Sequence, residues 1–203
     1  MIRIYLERYE RIGEVKKREV EHELGKKLLC HGLRELYGIR TETEKPPDLL
    51  KGEHGKPYLR DFPQIHFNIS HTEGMAVCGI GSSPLGVDIE IEHPYHENVL
   101  RRVLSEAERR QMEELPEAER SRRFFCIWTL KESYVKAKGF GLTVPLTDIS
   151  FEFGNDGNIA CSVPGTFFRR KIFEKDYILS LCTFVEEEIS FVQNPLSSAG
   201  AEH

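Results

Sequence analysis

The 203-residue sequence lacks several features that would place it in a particular class of protein. It has no excess of basic residues: the formal net charge is −5, whereas a general nucleic-acid-binding protein is expected to be basic. No apolar run approaches the ~20 residues that a membrane-spanning helix needs. The first residues show no basic segment followed by an apolar core, so we expect no secretory signal. These absences predict a cytoplasmic protein that binds neither nucleic acid nor membrane.

The cysteines lack the spacing of a metal or redox motif. No CxxC pair occurs, and the five cysteines are scattered, mostly within apolar segments: Cys30, Cys78, Cys126, Cys161 and Cys182. This distribution is typical of reduced, buried side chains. A zinc site is therefore not expected, and a catalytic cysteine is the less favoured interpretation.

Hydrophobic residues make up 39% of the chain and charged residues 30%, which is typical of a globular protein with a core of its own. The first half predicts a helix flanked by strands: strand 2–6, helix 14–37 (in one piece or in two around Gly25 or Gly32), mostly loop with short extended pieces over 41–61, and strands 65–70, 75–80 and 85–91. The second half predicts two helices and then strands: helices 99–114 and 118–138, strands 149–153, 158–163, 167–173 and 178–184, with a hairpin turn at 155–157.

Each half therefore contains helices and antiparallel strands, without the alternation of a parallel sheet. We predict an α+β fold of two similar, pseudo-duplicated halves in one chain. The N-terminal half covers residues 1–96, the C-terminal half covers 97–193, and residues 194–203 form a flexible tail. The boundary is placed at 93–96, where a histidine and proline-containing segment breaks the pattern.

The stretch 124–141 combines an apolar helix with unexpected charges. Trp128, Glu132 and Lys136 are four residues apart and therefore lie on one stripe of the helix, which Gly139 and Gly141 end. An ion pair at the rim of the helix is one interpretation. A functional site is the other, because a second acidic group precedes this helix in the chain.

That group is Asp88 and Glu90, which lie two residues apart on a strand and so share one face. Two adjacent carboxylates raise each other's pKa unless a cation lies between them. A solvated edge strand is one interpretation, and Glu92 on the same face agrees with it. Alternatively, Asp88, Glu90 and Glu132 form an oxygen-ligand set suited to Mg²⁺, with Lys136 neutralising a bound phosphate.

Polar residues also follow two earlier segments, where their side chains could reach a cleft. Lys56 lies in the turn Gly55-Lys-Pro-Tyr58, and Ser70 and His71 end the strand Phe67-Asn-Ile-Ser-His71. Taken singly, each of these residues is explained as well by a surface or structural role.

Together these segments resemble the 4′-phosphopantetheinyl transferase superfamily, and most closely its surfactin (Sfp) type, which activates peptide and polyketide synthases. The resemblance rests on four motifs in the family's order, spanning roughly residues 55–145: Gly-Lys-Pro-Tyr at 55–58, Phe-Asn-Ile-Ser-His at 67–71, Gly-Val-Asp-Ile-Glu at 86–90 and Trp-Thr-Leu-Lys-Glu-Ser-Tyr-Val-Lys-Ala-Lys-Gly at 128–139. The last two motifs are specific in combination.

The resemblance implies a monomer that binds coenzyme A in the cleft between its halves. Asp88, Glu90 and Glu132 would be the Mg²⁺ ligands, and Lys136 would contact the pyrophosphate. Lys56, Ser70 and His71 would hold the nucleotide, with His71 near its 3′-phosphate. Basic residues near the N-terminus would add contacts to this phosphate, and Lys16-Lys17-Arg18 or Lys26-Lys27 are the alternatives here.

The implied reaction is transfer of phosphopantetheine from coenzyme A to a serine of an apo acyl or peptidyl carrier protein, releasing adenosine 3′,5′-bisphosphate. Glu132 or Glu108 would take the serine proton, directly or through a metal-bound water. Glu108 enters because Ser105-Glu-Ala-Glu108 resembles the family's acidic segment after the metal strand. Three alternatives remain open: a dedicated fatty-acid carrier-protein synthase, a coenzyme A or carrier-binding module without turnover, and a Mg²⁺-dependent phosphohydrolase.

Overall fold

The computed structural model describes residues 1–10, 14–41, 45–141, 144–154, 158–174 and 176–198. Its helices are α1 (Glu14–Tyr37), α2 (Glu97–Val103), α3 (Glu106–Glu114), α4 (Glu117–Lys138) and α5 (Pro195–Ser198). Its strands are β1 (Ile2–Arg8), β2 (Leu49–Lys51), β3 (Pro57–Leu59), β4 (His66–Thr72), β5 (Met75–Gly81), β6 (Leu85–Ile91), β7 (Phe151–Phe153), β8 (Ile159–Cys161), β9 (Phe167–Phe173), β10 (Tyr177–Thr183) and β11 (Ile189–Gln193). The predicted α+β class is confirmed, and the turn predicted at 155–157 lies outside the described residues.

Two sheets form the centre of the molecule. The first has the strand order β11-β1-β5-β4, and the second has the order β6-β10-β9. All pairings in them are antiparallel except β1 with β11. Two short ribbons, β2-β3 and β7-β8, lie outside these sheets.

The sheets pack face to face, and one long helix covers each outer side. Between the sheets, alternate residues of β1 and β5 meet those of β6 and β10, among them Ile4, Val77, Val87 and Leu181. The other face of the first sheet packs on Leu28, Leu29 and Leu33 of α1, and that of the second packs on α4. Two α+β units of similar build therefore lie back to back.

The two sheets exchange strands across the boundary expected near residue 96. β6 precedes this position and pairs with β10, whereas β11 follows it and pairs with β1. The division of the chain into halves at residue 96 stays a prediction, and each sheet contains strands from both sides of it.

Helix α1 is continuous, so the break considered at Gly25 or Gly32 is wrong. These glycines instead mark where the helix lies closest to the first sheet. A Cβ atom on Gly32 would lie 2.2 Å from Ile80 Cδ1 and 2.6 Å from Tyr5 Cε2. The glycines therefore allow α1 to pack closely on the first sheet. The sequence pattern does not distinguish this role from a break in the helix.

Two further segments differ from the sequence prediction. The helix expected over 99–114 is divided into α2 and α3, because Ser105 begins a new helix as its N-cap. The tail was expected to fray from residue 194, but Pro195–Ser198 is a helical turn docked on β1. There the Leu196 N–H donates to Glu7 Oε2 at 2.9 Å, and Ser197 Oγ donates to Glu7 Oε1 at 2.5 Å. Within the described residues, none of the helices has the length and apolar character that spanning a bilayer requires.

Candidate active site

Gly86 brings β6 into direct contact with α4. A Cβ atom at this position would lie 2.1 Å from the Ser133 carbonyl oxygen and 2.3 Å from the Ala137 nitrogen. Only a residue without a side chain permits this approach. The strand therefore crosses the helix at Ser133 and Ala137, and the acidic residues that follow Gly86 lie beside the polar stripe of α4.

The alternation of β6 separates core residues from site residues. Val87 and Ile89 face the first sheet and are fully buried. Asp88 and Glu90 face the opposite way, towards α4, as the sequence predicted. Asp88 is 4% exposed and Glu90 is half-buried.

Asp88 forms an ion pair with Lys136 of α4. Its Oδ1 atom accepts hydrogen bonds from Lys136 Nζ at 2.6 Å and from Ser70 Oγ at 3.0 Å. Lys136 Nζ also donates to Ser70 Oγ at 3.0 Å. The second carboxylate oxygen of Asp88, Oδ2, is buried without a hydrogen-bond partner. An unpartnered buried oxygen is costly, and a cation is the natural partner for it.

Glu90 and Glu132 belong to the same electrostatic site. The pKa of Glu90 is raised to about 7, chiefly by burial and then by the neighbouring charges of Asp88 and Glu132, whereas Thr72 and Lys136 oppose the change. Burial followed by the charge of Asp88 raises the pKa of Glu132. Burial also raises the pKa of Asp88, and Lys136 opposes this. The three carboxylates therefore share one site, and the positive charge of Lys136 is too small to balance all three.

Asp88, Glu90 and Glu132 offer the oxygen ligands that a divalent cation prefers, but their side chains are not already arranged around a metal position. Within the ranges that the structure describes, no three acidic, histidine or cysteine side chains are arranged to enclose a metal ion. The Lys136 ammonium instead lies on the Asp88 oxygen. The unpartnered Asp88 Oδ2 and the mutual repulsion of the three carboxylates are the features that a hard cation would relieve.

A cavity of about 280 Å³ lies next to Lys136, between the end of α4 and the segment 54–57. Asn68, Glu132 and Val135 also line it. Lys56 belongs to this wall, but its ammonium donates to two backbone carbonyls, Leu85 at 2.9 Å and Ala137 at 3.0 Å. Lys56 thus ties the start of β6 to the end of α4, and burial lowers its pKa to about 8.

His71 lies on the far side of β4, with a buried carboxylate behind it. Its Nδ1 atom is 3.1 Å from Glu21 Oε2, and 47% of the His71 side chain is exposed. Glu21 is 3% exposed and also accepts a hydrogen bond from the Tyr9 hydroxyl at 2.6 Å. The sequence analysis identified neither Glu21 nor Tyr9. Glu21 is one of many charged residues on α1 and Tyr9 follows the end of β1, so neither belongs to a motif that would single it out.

The structure does not bring Glu108 to this site, which corrects the prediction of Glu108 as a general base. Glu108 is fully buried and lies 2.5 Å from the ammonium of Lys131, which is also fully buried. Its oxygens further accept from the Ser105 N–H at 2.8 Å and the Phe151 N–H at 2.9 Å. Glu108 completes the capping box of α3 and has no oxygen left to receive a proton from a substrate.

Of the predicted residues, Ser70, Asp88, Glu90, Glu132 and Lys136 therefore meet at one place. Lys56 lies at its edge, His71 lies one residue beyond Ser70, and Glu108 lies in the core. Thr72 is a site residue that the sequence analysis missed, since its hydroxyl donates to Glu90 Oε2 at 3.2 Å. The sequence contains a pattern that indicates Thr72: the polar residues Asn68, Ser70 and Thr72 alternate along one strand and therefore share one face.

The three acidic residues of the site and Lys136 lie within a segment that matches a known family. Residues 84–182 match the model of the 4′-phosphopantetheinyl transferase superfamily, and this segment contains β6 and α4. A 4′-phosphopantetheinyl transferase of Bacillus subtilis is 33% identical over 134 residues, covering 64% of this chain and 60% of that protein. The 4′-phosphopantetheinyl transferase Sfp of Bacillus subtilis (strain 168) is 35% identical over 112 residues, covering 55% of this chain and 50% of that protein.

Among solved structures, a holo-(acyl-carrier-protein) synthase from Bacillus anthracis in complex with coenzyme A (3′,5′-ADP) is 20% identical, with a TM-score of 0.43, covering 49% of this chain and 93% of that chain. The aligned part of this chain spans 60% and 50% of the length of the two Bacillus subtilis relatives. On the family match and these relatives, the chain is similar to the 4′-phosphopantetheinyl transferase superfamily and to its surfactin-type members.

Proposed function

We propose that this chain transfers the 4′-phosphopantetheine group of coenzyme A to a serine of an apo acyl or peptidyl carrier protein, releasing adenosine 3′,5′-bisphosphate. The observation that carries the proposal is the meeting of Asp88, Glu90 and Glu132 with the Lys136 ammonium on one side of β6. The match of residues 84–182 to the superfamily supports the same reaction.

Asp88, Glu90 and Glu132 would hold Mg²⁺, which when bound would withdraw charge from the diphosphate of coenzyme A. The excess of negative charge in the site and the unpartnered Asp88 oxygen support this assignment. Lys136 would stabilise the phosphate charge that grows on the leaving side. The Lys136 side chain is 28% exposed and lines the cavity beside it, where a ligand could reach it.

Glu132 is the candidate for the group that accepts the serine proton. This residue lines the cavity beside Lys136, where its carboxylate can accept a proton from a bound serine. Glu108, the other candidate from the sequence, is enclosed in the core beside Lys131. The rest of the site positions the reactants, which is the main contribution that proteins make to phosphoryl transfer.

Lys56, Ser70 and His71 would contribute to the binding of coenzyme A. Lys56 would do so mainly by fixing the cavity wall, since its ammonium already binds two carbonyls. We propose further that the protein acts as a cytoplasmic monomer on carrier domains of peptide or polyketide synthases. Each sheet is covered by its own long helix, so its apolar face is buried within the chain, which favours a monomer.

The test is the mass of an apo carrier domain incubated with the full chain, coenzyme A and Mg²⁺. We expect the carrier to become heavier by one phosphopantetheine, and EDTA to prevent the change. Unmodified carriers from peptide, polyketide and fatty-acid synthases, in the presence of folded protein, would contradict the proposal. Free phosphopantetheine released without a carrier would identify a phosphohydrolase instead.

A further inference from the structure

Among the residues that the structure describes, side chains and not a neighbouring strand bond the outer edge of β6. On its inner edge β6 pairs with β10. On its outer edge, three alternate backbone N–H groups donate to three alternate side chains of β4: Val87 to Asn68 Oδ1 at 2.8 Å, Ile89 to Ser70 Oγ at 3.3 Å and Ile91 to Thr72 Oγ1 at 3.3 Å. This side-chain ladder, Asn68-Ser70-Thr72, joins the two sheets at the site.

The two hydroxyl groups of the ladder each make a second bond, to a carboxylate. Ser70 Oγ donates to Asp88 Oδ1 at 3.0 Å, and Thr72 Oγ1 donates to Glu90 Oε2 at 3.2 Å. A backbone N–H only donates, so each hydroxyl accepts there and has its single hydrogen left for the carboxylate. The ladder therefore fixes both the position of β6 and the direction of its acidic side chains.

Thr72 and Asn68 make the same kind of contact with β6 but differ in the side chain that lies beside it. Both accept a backbone N–H of β6, but Asn68 accepts that of Val87, which follows a glycine, so no carboxylate lies beside it. Thr72 accepts that of Ile91, which follows Glu90. The two residues thus separate the joining of the strands from the orientation of an acidic side chain.

We propose that Thr72 is a positioning residue that orients Glu90 and thereby sets the affinity of the site for a divalent cation. The proposal rests on the proposed function in taking Glu90 as a cation ligand. The three torsions of a glutamate side chain allow many positions, and one hydrogen bond from a fixed strand reduces them. Removal of such a partner behind a metal ligand typically weakens metal binding by roughly 10- to 100-fold.

The experiment titrates Mn²⁺, as the probe, into the full chain with and without coenzyme A, by calorimetry. We compare the wild-type protein with Thr72→Val, Thr72→Ser and Asn68→Leu, and measure the free energy of unfolding of each. Thr72→Val should bind Mn²⁺ roughly 10-fold more weakly or worse, and Thr72→Ser should restore the affinity. Asn68→Leu should lose stability through an unsatisfied N–H, as Thr72→Val does, but should keep its Mn²⁺ affinity in the titration without coenzyme A. The comparison uses that titration alone, because Asn68 also lines the cavity beside Lys136.

Equal affinities of the Thr72→Val and wild-type proteins would overturn the proposal. So would an equal loss in Asn68→Leu without coenzyme A, or a wild-type protein that binds no Mn²⁺ in either condition. Carrier modification is measured on the same samples to keep the two questions apart. Transfer by the wild-type protein with no effect of Thr72→Val on Mn²⁺ would reject the role of Thr72 alone. The expected Mn²⁺ series without any transfer would reject the proposed function alone.

Discussion

The ammonium of Lys136 lies 2.6 Å from Asp88 Oδ1 and joins the last turns of α4 to the middle of β6. Asp88 is 5% exposed at its side chain and Lys136 is 28% exposed, so the pair spans from the interior to the cavity. Lys136 balances only part of the charge of the three carboxylates. The site is therefore built to receive further positive charge, at a cost to the stability of the protein alone.

The first prediction concerns this cost. Burial raises the pKa of Asp88, so at neutral pH the folded state holds its carboxylate less favourably than the unfolded chain does. Asp88→Asn should therefore leave the free energy of unfolding unchanged or raise it, as measured by urea denaturation. Carrier modification by the same variant should fall on the order of 10²-fold or more, because the variant lacks one of the three proposed cation ligands.

Asp48→Asn is the matched control, since Asp48 is exposed and pairs with Arg60 at the surface. It should change neither the free energy of unfolding nor carrier modification. A strongly destabilised Asp88→Asn protein would show that Asp88 is an ordinary structural ion-pair partner.

The sequence was sufficient to predict which acidic residues meet. Asp88 and Glu90 share a face because strands alternate, and Glu132 and Lys136 share a stripe because helices repeat every 3.6 residues. The crossing of strand and helix at Gly86 was not predictable, since it depends on a packing distance. The same limit applies to Gly25 and Gly32, whose contacts are made with a distant sheet.

Glu108 shows how a correct local signal can be interpreted wrongly. Ser105-x-x-Glu108 is the sequence signature of a capping box, and it also fitted an acidic segment near a metal strand. Its burial beside Lys131 depends on α3 packing against α4, which no local pattern contains. Strand β11 was missed for a similar reason, because it pairs with β1 at the opposite end of the chain.

Gly86→Ala is predicted to disturb the site through its backbone. The new methyl group would meet the Ser133 carbonyl oxygen at 2.1 Å, so the strand or the helix has to move. Overpacking of this kind costs about 1–3 kcal/mol or more, measured by chemical denaturation. Carrier modification should fall more than the folded fraction does, because Asp88 shifts away from Lys136.

Gly52→Ala is the control for this change, since its Cβ atom would come no closer than 3.6 Å to another atom. Its stability and activity should stay close to those of the wild-type protein. A Gly86→Ala protein with wild-type stability and activity would show that β6 and α4 are farther apart than described.

The pair Glu108–Lys131 is predicted to stabilise the core as a unit. Replacing one partner leaves a buried charge without compensation, at a cost of about 3–5 kcal/mol for Lys131→Met. The double variant Glu108→Gln/Lys131→Met should be less destabilised than the sum of the two single variants, as measured by urea denaturation. Additive losses would contradict the pairing, and activity should follow the folded fraction in all three variants.

Lys56 gives a prediction for the pH dependence of stability. Burial lowers its pKa from 10.5 to about 8 in the folded protein. Between these values the unfolded chain binds the proton and the folded protein does not, so the Lys56 contribution to the free energy of unfolding rises with pH. Below about pH 8 both states are protonated, and the cost of burying the ammonium is present in full.

The measurement compares urea midpoints of the wild-type and Lys56→Met proteins across this range of pH. The difference between the two proteins should move in favour of the wild type as the pH rises from about 8 to 10.5. Lys51→Met is the control, because Lys51 is exposed, and its difference from the wild type should not vary with pH. A constant difference for Lys56→Met would mean that its ammonium is not buried.

The central claim is that Glu132, on α4, acts together with the carboxylates of β6 in one transfer site. The most direct measurement is the intact mass of an apo carrier domain after incubation with coenzyme A, Mg²⁺ and either the wild-type or the Glu132→Gln protein, both verified as folded. We predict a carrier heavier by one phosphopantetheine with the wild-type protein and an unmodified carrier with Glu132→Gln. Equal modification by the two proteins would contradict the account.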